Sequence, residues 1–238
     1  MTGLNDLAAG GRLSVPSLGS AVGGSSNKEL MADARAALSG NWGMAILGHL
    51  LYALLIFSFM FFAITALLFA GVASSVSTED FVQKVWIINP ALSLVQFLLS
   101  GALTVGFMAF FLGIAREGDA VLDRLFTGFR RYGTSLGVYF FFSLFVFLWS
   151  LLLIIPGIIA SFRYSMAFFI VADDEDCGPL EALGRSKAMM KGNKWKFFCL
   201  HWRFFGWALL ASLTGGIGYL WLVPYMQTSF AKFYEDVS

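Results

Sequence analysis

The sequence predicts an all-α fold: a polytopic helical membrane protein with about six hydrophobic helices in three hairpins, each preceded by an amphipathic cytoplasmic helix. Hydrophobic residues make up 58% of the 238 residues and charged residues only 13%, whereas an average soluble domain has about 45–50% and about 25%. The apolar residues also lie in long uncharged runs. A soluble fold of this length cannot bury so much apolar surface, but a bilayer can surround the outer faces of spanning helices.

Six hydrophobic segments follow one another along the chain, and a spanning helix needs about 20 mostly apolar residues. The predicted segments are residues 43–72, 86–115, 134–155, 158–172, 197–213 and 219–230. The second is entered through Asn89-Pro90, because proline suits the first turn of a helix. The fourth and sixth are short and follow uncharged turns, at Pro156-Gly157 and at Thr214-Gly215-Gly216. Each is either the second helix of a hairpin or a re-entrant segment, and the sequence leaves both open.

Basic residues are concentrated on one side of the predicted membrane. Residues 27–42, 115–133 and 173–196 carry most of the lysines and arginines, whereas residues 73–85 contain Lys84 alone, near Glu79 and Asp80. Because lysine and arginine in short loops favour the cytoplasmic side, both termini are predicted to be cytoplasmic. Residues 1–26 are rich in glycine and serine and lack a continuous apolar core, so we expect a flexible tail rather than a cleavable signal peptide.

Two cytoplasmic stretches resemble each other and indicate an internal repeat. When they are aligned, these pairs coincide: Glu29 with Glu181, Arg35 with Lys187, Ala36 with Ala188, Gly40 with Gly192 and Asn41 with Asn193. A weaker middle copy covers residues 119–132. The integral membrane domain of residues 27–238 would then contain three units, residues 27–115, 116–172 and 173–238. Convergence is the alternative, because basic amphipathic helices are common at the inner membrane face.

Local signals mark where the predicted amphipathic helices begin and end. Ser26 and Glu29 have the spacing of a capping box, and Pro179 stands at a first helical position. Gly40 and Gly192 stand where such helices would stop. These signals predict helices over residues 27–39 and 179–191, with apolar faces that include Leu30, Ala34, Ala37 and Leu38, and Leu180, Leu183, Met189 and Met190.

The chain resembles a bacterial integral membrane family known as domain of unknown function 975, in patches over residues 27–236. The resemblance rests on these stretches: Asn27-Lys28-Glu29-Leu30, Gly40-Asn41-Trp42-Gly43, Leu153-Ile154-Ile155-Pro156-Gly157, Arg163-Tyr164-Ser165-Met166-Ala167, Met190-Lys191-Gly192 and Trp221-Leu222-Val223-Pro224-Tyr225. It implies a location in the bacterial cytoplasmic (inner) membrane. It implies no activity, because the family has no assigned function.

Arg163 is the charge that the sequence places deepest in a hydrophobic segment. An isolated charge there costs at least ~2.5–3.5 kcal/mol on insertion scales, so it should face a partner or a cavity. Neutral polar groups are its candidate partners: Gln96, Gln227, Tyr164, Tyr225 and Thr228. Either Arg163 binds an anionic substrate together with Gln96 and Gln227, or it caps the broken backbone of a hairpin turn. We favour the second interpretation.

The remaining polar residues give no pattern for catalysis or for a cofactor. His49 and His201 have no partner at metal-ligand spacing, and no HExxH, phosphate-binding glycine loop or GxSxG is present. Residues 173–176 are four consecutive acids that lack the pattern of a calcium loop. Cys177 and Cys199 fall in or beside a predicted cytoplasmic segment, where a disulfide is not expected. We therefore expect no enzymatic activity, no metal and no cofactor.

Two functional classes stay open. The first is a non-enzymatic scaffold, assembly or envelope-associated component whose basic helices lie on anionic lipid headgroups. Its lipid-facing patch would consist of Arg130, Arg131, Lys187, Lys191, Lys194 and Lys196. The second is a small transporter or channel with a polar cavity near Arg163. Lipid, a second copy of the chain or other membrane proteins are the expected partners; nucleic acid is not, since the net charge is only +1.

Overall fold

The computed structural model describes residues 24–73 and 78–238, and this part of the chain is helical throughout, without strands. The helices are α1 Asn27–Leu38, α2 Trp42–Ala73, α3 Thr78–Glu117, a 3₁₀ helix Leu122–Phe126, α4 Thr127–Arg130, α5 Tyr132–Leu152, α6 Ile154–Tyr164, α7 Ala167–Asp173, α8 Pro179–Met189, α9 Lys194–Leu213 and α10 Tyr219–Val237. The predicted all-α class is confirmed. Most of the predicted tail, residues 1–23, lies outside the described residues.

Helix α3 is the centre of the structure. It packs against α1, α2, α4, α5, α7, α10 and the 3₁₀ helix. Within Leu92–Glu117, 72% of the residues in its apolar 18-residue window are buried, whereas the share is only 11% within the similarly apolar Tyr132–Leu152. Apolar length alone therefore does not decide which helix lies inside.

Glycine allows neighbouring backbones to lie directly on α3. A Cβ atom on Gly106 would lie 1.8 Å from the carbonyl oxygen of Leu125, and one on Gly128 would lie 1.9 Å from that of Ala102. Both distances are far below van der Waals contact, so only glycine fits at these positions. The segment after α3 is thereby held against it over the 3₁₀ helix and α4.

Helix α2 packs along the first apolar half of α3. The rings of Tyr52 and Phe107 stack with centroids 4.0 Å apart, and Gln96 Nε2 donates to the carbonyl oxygen of Ile56 at 3.2 Å. The later residue on α2, Ile56, meets the earlier residue on α3, Gln96. The two helices therefore run antiparallel.

The break between α5 and α6 lies earlier than the sequence predicted. The chain is extended at Leu153, with φ −163° and ψ 151°, and Pro156 and Gly157 belong to the first turn of α6. Proline is tolerated there because the first backbone N–H groups of a helix have no intrahelical partner. Gly157 is required because a Cβ would lie 2.1 Å from Ser150 Oγ on α5.

Three segment boundaries differ from the prediction. Ile154–Asp173 forms a 20-residue apolar stretch, so the fourth segment is longer than predicted. The sixth lies in the 19 residues of α10. Helix α3 begins at Thr78 and contains Pro90, so Lys84 lies in a helix rather than in a loop. The remainder of the predicted loop, residues 74–77, lies outside the described residues.

The corner between α1 and α2 has the predicted local geometry, and so does the one between α8 and α9. The capping box of Ser26 and Glu29 is present, and Pro179 is at the start of α8. Gly40 and Gly192 have φ values of 89° and 92°, a left-handed conformation that ends each helix. At the first corner the axis turns by 96°.

The predicted middle copy is not a three-turn amphipathic helix. It consists of the short 3₁₀ helix and the four residues of α4, because Gly106 and Gly128 bring this segment too close to α3 for a continuous helix. The start of the following helix does match. The backbone carbonyl oxygen of Arg131 accepts from the backbone N–H of Ser135, and the carbonyl oxygens of Asn41 and Asn193 accept in the same way from Ala45 and Phe197. The internal repeat stays a prediction.

The inner faces of the two amphipathic helices agree with the prediction except at one residue. Leu30, Ala34 and Leu38 are buried in α1, and Leu183 and Met190 are buried in or after α8. Leu180 is 57% exposed, because it stands in the first turn of α8 on the side away from the core.

Several helices are long and apolar enough to cross a membrane. In the described part of the chain these are Leu92–Glu117, Tyr132–Leu152 and Ile154–Asp173, and the bent pair Asn27–Leu38 and Trp42–Phe57 would make a fourth if it counts as one span. Five consecutive apolar residues are highly exposed where α5 meets α6: Leu151, Leu152, Leu153, Ile154 and Ile155 are 65–77% exposed.

Replacing Gly128 with alanine tests the close packing on α3. We expect Gly128→Ala to lower the free energy of unfolding by about 1–3 kcal/mol, because the new methyl group overpacks the contact with Ala102. Gly133→Ala is the control, since its Cβ would meet nothing within 4 Å and alanine is a better helix former than glycine. Thermal unfolding in one mild detergent, followed by circular dichroism, measures both. A Gly128→Ala protein as stable as Gly133→Ala would contradict the packing.

Candidate functional site

A cluster of charged residues joins the ends of α3, α7 and α10. Arg116 forms a two-pronged ion pair with Asp173, with Nη2 donating to Oδ2 at 2.9 Å. Arg116 Nε also donates to Glu235 at 3.2 Å, and the hydroxyl of Tyr234 donates to Asp173 at 2.9 Å. Lys232 donates to Glu235 at 2.9 Å. The partners of Arg116 and Asp173 lie at least 57 residues away in sequence, so these bonds fix three helix ends against one another.

A second ion pair joins the start of α9 to the end of α10. Lys196 pairs with Asp236, and their side chains are only 15% and 9% exposed. The backbone N–H of Ser25 also donates to Asp236, at 2.9 Å, and Asn27 donates to the carbonyl oxygen of Lys196 at 3.0 Å. Burial alone would raise the pKa of Asp236, but the hydrogen bonds from Lys196 and Ser25 outweigh it and lower the pKa.

The acidic run after α7 is held by arginines. Arg185 donates to Asp174 at 2.6 Å, and this bond lowers the pKa of Asp174. Arg131 donates to the carbonyl oxygens of Asp174 and Cys177, at 2.9 and 3.2 Å. Arginines thus occupy the carboxylates of Asp173 and Asp174. Among the described residues, no three or more histidines, cysteines or acids are grouped to hold a metal ion.

The predicted lipid-facing basic patch divides into two sets. Arg131 and Lys196 have structural partners in the protein. Arg130 pairs with Asp123 at 3.1 Å, and both of these side chains are 73% exposed. Lys187 and Lys191 are exposed, and Lys194 is partly exposed. The exposed members can reach a headgroup, and their contact with lipid stays a prediction.

Arg163 stands in the last turn of α6. Its guanidinium carbon lies 5.8 Å from the ring centroid of Tyr164, which was one of its predicted partners. Its carbonyl oxygen accepts from Ser186 Oγ on α8 at 3.0 Å. Among the described residues its guanidinium does not hydrogen-bond the break at Leu153. A cation in the last turn of a helix is stabilised instead by the carbonyl end of the helix dipole.

The three residues predicted to form a polar site lie in different helix contacts. Gln96 bonds to α2, and Arg163 contacts Tyr164 on its own helix. Gln227 is on α10, where its Oε1 is buried without a partner among the described residues. None of the hydrogen bonds in the described part of the chain joins two of them.

The two histidines lie among aromatic rings. His201 Nδ1 lies 3.1 Å from the carbonyl oxygen of Phe197, and its ring stacks on Phe230 at 4.3 Å. His49 lies 6.2 Å from Phe107, and its Nδ1 is buried without a hydrogen-bond partner among the described residues. Neither arrangement supplies a base beside a nucleophile.

One surface feature was not anticipated from the sequence: an apolar groove of about 360 Å³ between the α1–α2 corner and the α9–α10 pair. Arg35 is at its mouth, and Trp42, Trp207, Trp221 and Tyr225 form most of its walls. Arg35 Nη2 donates to the hydroxyl of Tyr225 at 3.1 Å. The spacing of apolar residues on α9 and α10 could have indicated two apolar stripes, but nothing local brings Arg35 to them.

The lowered carboxylate pKa values predict a loss of stability in acid. Asp174 and Asp236 have pKa values below the usual value in the folded chain, so their contribution is complete above about pH 4 and is lost as the pH falls through the lowered values. Asp236→Asn should lower the free energy of unfolding at pH 7 by roughly 1.5–3 kcal/mol, because Lys196 loses its charged partner. It should also weaken the pH dependence below about pH 4, the usual pKa of an aspartate.

Thermal unfolding as a function of pH measures this effect. Asp123→Asn is the matched control, since its pair with Arg130 is highly exposed and such pairs contribute about 0–1 kcal/mol. Equal losses in the two variants would contradict a structural role for the Lys196–Asp236 pair.

The comparison with protein families gave one match, to the family described as "Protein of unknown function (DUF975)", over residues 25–159 and 150–238. Comparison with curated proteins and with solved structures gave no match. The matched residues include both corners, the charged cluster and every helix of the described structure. The chain therefore belongs to the DUF975 family, whose function is unknown.

Proposed function

We propose that this protein is a multi-spanning component of the bacterial inner membrane that acts as a non-enzymatic scaffold or assembly factor. Three hairpins would cross the bilayer, formed by α2 and α3, by α5 with α6 and α7, and by α9 and α10. The charged cluster around Asp173 and both termini would lie on the cytoplasmic side.

The separation of apolar and charged surface is the observation that carries the membrane proposal. At the α5–α6 junction five consecutive large apolar residues, Leu151 to Ile155, are at least 65% exposed. At the α9–α10 junction Leu213 and Ile217 are 83% and 62% exposed. The opposite ends of α7 and α10 carry the ion pairs of Asp173 and Glu235. Water would not tolerate so large an apolar surface on a monomer, whereas lipid would.

The dispersal of polar groups favours a scaffold over a transporter. A transport site requires several polar groups that face one cavity near the middle of the bilayer. Gln96 bonds to backbone of α2, and Arg163 lies over Tyr164. The groove beside Arg35 and a second one beside His201 are lined almost entirely by apolar and aromatic side chains.

The exposed lysines of the α8–α9 corner support attachment to the cytoplasmic leaflet. Lys187 and Lys191 project from the surface, while Leu183 and Met190 are buried. Each basic residue near an anionic surface contributes about 1 kcal/mol. Other membrane proteins or a second copy of the chain would use the same exposed apolar faces.

The orientation is tested by fusions to the C-terminus. We expect an alkaline phosphatase fusion to be inactive and a fluorescent protein fusion to fluoresce, because the positive residues favour a cytoplasmic C-terminus. Cysteine labelling adds a second measurement, in a background with Cys177 and Cys199 replaced by alanine. A cysteine at Lys187 should react only after the membrane is opened, whereas one at Leu183 should stay unreactive because it is 2% exposed. An active phosphatase fusion would reverse the orientation.

The scaffold and transport proposals differ in what Arg163 does. We expect Arg163→Met to lower the free energy of unfolding by about 0.5–1 kcal/mol, the usual contribution of an exposed cation–π contact, and Arg163→Lys to restore part of it. Both variants should still complement a deletion strain. Thermal unfolding and complementation measure the two effects, with Arg203→Met as the control for loss of an exposed arginine. A fully stable Arg163→Met protein that fails to complement would favour transport instead.

A further inference from the structure

The groove beside Arg35 has the form of a binding site for one lipid. Its volume of about 360 Å³ lies within the ~300–1,000 Å³ that is usual for ligand pockets. Trp207, Leu210, Ala211 and Thr214 line it from α9, and Gly218, Trp221, Leu222 and Tyr225 line it from α10. Both sets have the spacing i, i+3, i+4, i+7, which places each set on one helical face. The two apolar helical faces therefore line an elongated groove rather than a small, compact cavity.

The two ends of the groove differ in chemistry. At the end near the charged cluster lies Arg35, which has no ion pair among the described residues and is exposed. At the far end, Thr214 accepts from the backbone N–H of Gly218 at 3.0 Å and donates to the carbonyl oxygen of Ala211. These bonds satisfy the polar groups of the turn, so the far end offers nothing to a headgroup. One cationic end and one apolar end match an amphipathic anion.

Tyr225 holds the arginine over the groove. Its hydroxyl accepts from Arg35 Nη2 at 3.1 Å and donates to the carbonyl oxygen of Met31 at 3.2 Å, while its ring lies 5.4 Å from the guanidinium carbon. A guanidinium has five N–H donors, and the structure uses one of them in this bond. The others are left for a phosphate, which arginine binds in a two-pronged fashion.

The position of Arg35 in the fold matches the depth of a headgroup. It lies in the last turn of α1, just before the chain turns by 96° into α2. If α1 lies along the membrane surface and α2 crosses it, this corner is at the boundary between headgroups and acyl chains. Tyr225 and Gly218 are seven residues apart on α10, so the groove extends roughly 10 Å further into the bilayer at 1.5 Å per residue.

We propose that this groove binds one anionic phospholipid, with its phosphate on Arg35 and an acyl chain along Trp207 and Trp221. The proposal rests on the membrane location proposed above. Charge complementarity selects an anionic lipid over a zwitterionic one, and the apolar floor selects a lipid over free phosphate. A lipid bound in this groove would exchange more slowly than the lipids around the rest of the protein.

Tryptophan quenching in vesicles tests the proposal. Phosphatidylglycerol with brominated acyl chains is titrated into phosphatidylcholine vesicles that contain the protein, and the reverse labelling is measured in parallel. We expect saturable quenching by the anionic lipid alone, lost in the triple variant Trp42→Phe, Trp207→Phe and Trp221→Phe, which removes the three tryptophans of the groove. Arg35→Gln should raise the half-saturating mole fraction about fivefold, as expected for one arginine near an anionic surface. Arg35→Lys should retain most of the preference.

Lys187→Gln is the matched control, since Lys187 occupies the corresponding last turn of α8 and is exposed. We expect it to leave the saturable quenching unchanged. Equal shifts for Arg35→Gln and Lys187→Gln would overturn the site in favour of general surface attraction, and equal quenching by both lipids would overturn it as well. If the Arg35→Gln protein does not fold, Tyr225→Phe is used in its place, because it removes the hydroxyl that bonds to Arg35. Unchanged saturable quenching in Tyr225→Phe would contradict the proposal that Tyr225 positions Arg35 for the lipid.

Two further outcomes are distinguishable. Protein that floats with the vesicles but shows no saturable quenching would overturn the lipid site and leave the membrane proposal standing, whereas protein that does not associate with vesicles would overturn both. Leu210 lies in the groove and is 57% exposed, so a cysteine at this position can report a contact between two copies. If that cysteine crosslinks to a second copy, and the wild-type protein shows no saturable quenching, the groove is a dimer contact instead.

Discussion

The two-pronged ion pair between Arg116 and Asp173 is the interaction on which the arrangement of helices depends. Arg116 ends the central helix α3, and Asp173 ends α7. Tyr234 and Glu235 bring in the end of α10 through the same two residues. An arginine–carboxylate pair of this kind specifies both distance and orientation. Each helix end is therefore held in one register relative to α3, and the aromatic core next to the pair, including the stacked rings of Phe169 and Tyr234, packs in one way.

Glycines at the contact between α3 and the segment that follows it set the second constraint. At Gly106 and Gly128 one backbone lies directly on another, so the chain after α3 cannot form a separate amphipathic helix. The central helix is consequently enclosed by neighbours, while α5 faces outward with most of its apolar side chains exposed. The apolar surface of α3 is covered by protein, whereas that of α5 needs an apolar surrounding from outside the chain. A bilayer would supply that surrounding. The membrane proposal therefore follows from the contrast between α3 and α5 and not from composition alone.

Local signals in the sequence were sufficient for the starts of α1 and α8 and for the two corners, but not for α3, which begins at Thr78 and contains Pro90. The capping box at Ser26, the proline at Pro179 and the left-handed glycines act within a few residues, so a single sequence reveals them. The break at Leu153 was misplaced because Pro156 has two roles that look alike in sequence: it ends one helix or begins the next. The contact of Gly157 with Ser150 decides between them, and it exists only once α5 and α6 pack together.

The candidate sites depend on contacts between residues that are distant in sequence. A single sequence does not show such contacts. Arg163 was predicted from its burial cost, and the structure places its guanidinium over the ring of Tyr164 rather than in a hydrogen bond with Gln96 or Gln227. Arg35 drew attention only as a repeat position, whereas its bond to Tyr225 spans 190 residues. A charge pattern predicts which residues are basic, but the surroundings of each charge follow from tertiary packing.

The two corners with left-handed glycines show how the same local geometry can serve two ends. At the α8–α9 corner, α6 covers the start of α9, with Phe162 packed 5.8 Å from Phe197, and the groove between α6, α9 and α10 has no lysine or arginine in its lining. At the α1–α2 corner, the groove beside α9 and α10 has Arg35 in its lining. If the corners descend from one repeated unit, the two copies have diverged in the charge beside this groove. The α1–α2 corner is then the one where the proposed anionic lipid would complete the packing.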